Sequence, residues 1–182
     1  MADVLRDTQP LRALAETRQI VDFQEEIGSF ERLSDSIERD LAALGDARMP
    51  KDWRKSAVRG RLAFAPATAG QATATGRLTA RVPAVCQRCL EPFEWPLESR
   101  VDVRFTTAHG SHREDERELW ELDDERVRPL DVVDELLVMA LPLSARHSDD
   151  ARCVVTGESR PDGDTTRPFA DLKARMDEAG RN

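Results

Sequence analysis

Two stretches of strictly alternating residues, joined by a short connection, constrain this chain more than any other feature. In GQATATGRLTARVPAV, residues 70–85, the even positions carry Ala72, Ala74, Leu78, Ala80, Val82 and Ala84. The odd positions carry Gln71, Thr73, Thr75, Arg77, Thr79 and Arg81. In FEWPLESRVDVRF, residues 93–105, Phe93, Trp95, Leu97, Val101, Val103 and Phe105 alternate with Glu94, Glu98, Arg100, Asp102 and Arg104. A period of two is that of a strand with one buried and one wet face. Residues 53–64 alternate less regularly, with Val58, Leu62 and Phe64 on one side. Three consecutive half-buried strands predict an antiparallel meander, open or curled toward a barrel. RQIVDFQEE and ELWEL each read as a short additional strand.

Elsewhere the period lengthens to that of a helix. Leu33, Ile37, Leu41 and Leu44 recur at helical spacing, Asp35 with Glu38 resembles a capping box, and Gly45 suits the position past the end. RPLDVVDELLVMALP, the most apolar segment, predicts a buried helix over 130–141, opened by a proline and closed by Pro142. PFADLKARMDEAG places Phe169, Leu172 and Met176 on one face of a short C-terminal helix closed by Gly180. Residues 106–117 and 156–167 read as a polar loop and a polar linker. The expected fold class is α+β: an antiparallel sheet packed against a buried helix, with N- and C-terminal helices. The expected segments are an acidic N-terminal part with one helix (1–47), the sheet-plus-helix core (48–155), and a linker with the last helix (156–182).

At 182 residues, 34% of them charged, the chain is about one domain. No apolar run approaches the roughly 18 residues of a membrane span, and LLVMALPL falls far short. MADVLRDTQP lacks the apolar stretch of a secretory signal, so its three cysteines are expected as reduced thiols in the cytoplasm. The net charge of −8 conceals a segmental pattern. Residues 1–47 hold 5 basic and 11 acidic side chains, residues 48–90 hold 9 basic and 1 acidic, and residues 114–135 hold 3 basic and 11 acidic. Either these blocks satisfy one another across the fold, or the middle block is a polyanion-binding face.

The connection between the alternating runs is VCQRCLEPFEW. A tight turn can bring both sulfurs of Cys86 and Cys89 to one side, as a metal site requires, but two ligands do not complete a structural zinc centre. His147 and Cys153, in the loop after the apolar helix, would complete a Cys3His set. The competing reading is two small hydrophobes packed at a turn. A thioredoxin-like redox role would need the pair at the start of a helix, and here both flanks are strands. His109 and His112 stand in the polar loop and are expected to be solvated.

The run ARVPAVCQRCLEPFEWPLESRVDVRF, then LDVVDELLVMALPLSARH with a cysteine shortly after, then PFADLK, is similar in content and order to the YceD family, over residues from about 50 to 178. These are large ribosomal RNA subunit accumulation proteins of bacteria and plastids. The resemblance implies a role in synthesis, processing or stability of 23S ribosomal RNA, with that RNA or a pre-ribosomal particle as partner, and brings no catalytic residues.

The residues themselves point the same way. Arg77 and Arg81 face outward on one strand, Arg59 and Arg61 share a face of the strand before it, and Arg88 stands at the hairpin tip. Such a cluster would neutralise several phosphates. There is no tyrosine, and Phe93, Trp95 and Phe105 fall on the apolar side, which favours backbone contacts over base stacking. The alternative is a zinc-stabilised adaptor whose acidic segment, 114–125, grips a basic ribosomal or assembly protein. No phosphate loop, nucleophile elbow or zinc-protease motif is present, so a non-enzymatic factor is expected.

Overall fold

The computed structural model describes residues 3–45, 48–67, 71–106, 118–148 and Cys153. The central element is a five-stranded sheet in the order β2-β3-β4-β5-β6. Its strands are β2 (Ile20–Glu26), β3 (Ala57–Pro66), β4 (Ala72–Val85), β5 (Pro92–Thr106) and β6 (Glu118–Glu121). The first four pair antiparallel in sequence order, as a meander. β6, the strand expected in ELWEL, instead runs parallel to β5, from Val103↔Glu118 to Thr106↔Glu121. The sheet is not closed into a barrel. A second, two-residue-deep pair joins β1 (Gln9–Pro10) to β7 (Arg126–Val127).

The alternation translates directly into burial. On the inner face Val58, Leu62, Phe64, Leu78, Val82, Leu97, Val101, Val103 and Phe105 are all at most 1% exposed. Each such side chain contributes about 1.5–3 kcal/mol when fully buried. Gly76 sits on this face between Leu62 and Val101, and a Cβ there would come within 1.8 Å of the Arg61 carbonyl oxygen. No other residue lets β3 and β4 approach so closely at that point.

Helices α2 (Glu31–Leu41) and α3 (Pro129–Met139) cover the inner face. Leu33, Ile37, Leu41 and Leu44 are buried as their spacing requires, and Leu130, Val132, Val133, Leu136 and Leu137 make α3 the buried helix. The start of α2 differs from expectation. It begins four residues before Asp35, so Asp35 and Glu38 form no capping box. The α2 N-terminus is capped from outside by Asp134 of α3, which accepts hydrogen bonds from the backbone N–H of Arg32 (3.0 Å) and Leu33 (2.9 Å). α2 also ends at Leu41, and Gly45 takes no left-handed conformation. A short helix, α1 (Leu11–Glu16), buries Leu11, Leu14 and Ala15 and had no clear periodic signal. The loop at 107–117, with His109 and His112, and the expected C-terminal helix lie outside the described residues.

Candidate metal centre and arginine face

The turn between β4 and β5 is built to present sulfur. Leu90 N–H donates to the Cys86 carbonyl, and Cys86 N–H donates to the Glu91 carbonyl, closing the knuckle. Leu90 takes a left-handed backbone, φ 59°, at the exit, a position that favours glycine. Arg48 braces the same corner, donating to the Leu90 carbonyl at 2.6 Å and pairing with Glu91 at 2.9 Å. The loop after α3 is tied on by Gln87 N–H, which donates to the Ala145 carbonyl at 2.9 Å.

These contacts bring Cys86, Cys89, His147 and Cys153 together, with their ligand atoms all within 4.8 Å of one another. Cys86 Sγ lies 3.6 Å from Cys153 Sγ, and Cys89 Sγ lies 3.6 Å from His147 Nδ1. A tetrahedron with Zn–S of about 2.3 Å and Zn–N of about 2.05 Å has edges of about 3.6–3.8 Å, so the donor set fits that ion. The three cysteines are free of disulfides and are 0%, 8% and 5% exposed in chain order. Burial pushes the Cys86 thiol up, yet the backbone N–H groups of Cys89, Arg88 and His147 outweigh it and hold it down at about 5. Burial, and then the neighbouring Cys86 and Cys89 sulfurs, push Cys153 up to about 11. Three adjacent sulfurs cannot all ionise without a compensating cation, and a divalent metal supplies one. Four protein ligands leave no open position, which is the arrangement of a structural rather than a catalytic zinc site. The Phe93 ring, 4.4 Å from the imidazole of His147, covers the cluster on one side.

On the outer face of the sheet, register decides which charges meet. Arg61 of β3 stands opposite Arg77 of β4, and Arg77 opposite Arg100 of β5. Three exposed arginines thus form one row across three strands, ended by Asp22 of β2, 3.7 Å from Arg61. Arg59 lies one row away, hydrogen-bonded to Gln24, in a row that ends at Glu98. Arg81 faces Pro96, and Arg88 is at the turn. Positive charge is therefore concentrated in one line with acids beside it, rather than spread over the face. Arg100 was not singled out from sequence, because its neighbours Glu98 and Asp102 hide it until register sets it beside Arg77.

The aromatic residues also differ from expectation. Phe105 is fully buried, but Phe93 and Trp95 are only partly so. They do stand on the inner side of the strand, opposite Ala84 and Val82, but near the free edge of β5, where Trp95 packs only partly against the core.

Fold and cluster together define an α+β protein in which a β-hairpin turn and the chain after α3 bring three cysteines and a histidine together. The chain belongs to the YceD family, described as large ribosomal RNA subunit accumulation protein, whose family model matches residues 74–176. The match spans the knuckle, α3 and all four members of the cluster. No curated protein and no solved structure matches the chain significantly. Among the described residues, no helix is long and apolar enough to cross a membrane.

Proposed function

We propose that this protein is a non-enzymatic, cytoplasmic factor that supports synthesis, processing or stability of 23S ribosomal RNA by gripping its phosphate backbone. The family description supports the coarse role in large-subunit RNA accumulation. The observation that carries the finer reading is the row Arg61–Arg77–Arg100. Like charges directly opposite one another on a sheet are destabilising, and among the described residues this row has one weak exposed carboxylate partner, Asp22. A phosphate backbone laid along it would relieve the repulsion and release counterions. Arg59, Arg81 and Arg88 extend the contact toward the knuckle. In this reading the Cys3His set holds zinc, which fixes the β4–β5 turn to the loop after α3 and does no chemistry on the RNA.

Crosslinking in cell extract, with identification of both RNA and protein attached to the chain, tests the proposal. The expected product is 23S rRNA, or a precursor particle containing it, lost when the arginine row is replaced. Recovery of a basic ribosomal or assembly protein alone would favour the adaptor reading.

A further inference from the structure

Beside the metal centre a groove of about 550 Å³ opens between β5 and the loop at 146–148. Arg81, Phe93, Glu94, Trp95, Arg146 and His147 are among the residues that line it. β6 pairs with β5 only from Val103 to Thr106, so the Pro92–Pro96 end of β5 has no neighbour on that side among the described residues. We infer that this groove holds one unpaired nucleotide of the bound RNA, its base against Phe93 and Trp95 and its phosphates between Arg81 and Arg146. The inference rests on the RNA-binding reading and adds a base-recognition site to the backbone contacts.

Three observations favour a nucleotide over other occupants. Phe93 and Trp95 meet edge to face, centroids 6.1 Å apart at 83°, so they form a corner that offers an aromatic surface to a flat guest. Stacking of that kind adds to the electrostatic part of single-strand affinity. Arg81 and Arg146 are exposed and have no ion pair among the described residues, which leaves two cations at the rim for phosphate. The same cations disfavour a lysine or arginine side chain from a basic protein. Finally, Pro92 and Pro96 offer no N–H to an added strand, which disfavours an extended peptide.

The test uses the full-length chain with its metal, titrated with short single-stranded oligomers of uridine and separately with 23S rRNA. The oligomers should bind at the groove. Trp95→Leu should weaken oligomer binding about tenfold, as expected for one lost stacking contact. Arg146→Gln, an exposed change that leaves the core untouched, should weaken it as well. If the wild type binds 23S rRNA while both variants keep normal oligomer affinity, the groove is not a nucleotide site and the backbone reading survives. If the wild type binds neither oligomers nor 23S rRNA, the RNA reading fails and the inference with it. If an arginine-rich peptide binds and Trp95→Leu abolishes that binding instead, the occupant is a protein and the inference is wrong.

Discussion

The carboxylate of Asp134 accepts a hydrogen bond from the backbone N–H of Leu33, 101 residues earlier in the chain. Its other oxygen accepts from the N–H of Arg32, so one buried side chain of α3 caps α2. Two orphan donors at a helix start are satisfied by a residue that also fixes how the helices pack. Asp134→Ala leaves both donors in a partly dry site and should cost about 2–3 kcal/mol. Urea unfolding monitored by tryptophan fluorescence should show the midpoint fall at an unchanged slope. A variant as stable as the wild type would mean that water replaces the cap.

This cap also marks the limit of what could be read from the chain. The strands at 72–85 and 92–106 were legible because each is half-buried, and burial on one face imposes alternation. The buried helix was legible from its apolar length. The start of α2 was not, because its capping group comes from α3 and no local pattern can announce it. The parallel addition of β6 was hidden for the same reason, since pairing direction is decided by tertiary contact. The four possible ligands were legible by type, but convergence of Cys86 and Cys89 on His147 and Cys153 needed the tie from Gln87 to Ala145. Arg100 and the groove beside Trp95 depend on strand register and on how little of the β5 edge β6 covers.

Protein purified without chelator should contain about one zinc per chain. Cys89→Ser should release it. An ion held by this cluster would link the hairpin turn to the loop after α3, so hydrogen exchange should then accelerate at residues 85–91 and 143–148 together. Fully folded protein with substoichiometric metal would make the cysteines packing residues.

Leu90→Gly should stabilise the protein by about 1 kcal/mol. Leucine at φ 59° carries the steric cost of the left-handed region, and its side chain is 60% exposed, so little burial is lost. Thermal unfolding of the metal-loaded protein measures the gain. A loss of stability would show that the exposed leucine has packing worth more than the strain.

The most direct test of the central claim is the salt dependence of 23S rRNA binding by the wild type and by a variant with Arg61, Arg77 and Arg100 replaced by glutamine. Each phosphate neutralised on a nucleic acid contributes about 0.7–0.9 to the slope of log affinity against log salt. The three arginines should therefore account for about 2–3 units of that slope, with weaker binding at every salt concentration and an unchanged fold. Equal slopes for the two proteins would contradict the account.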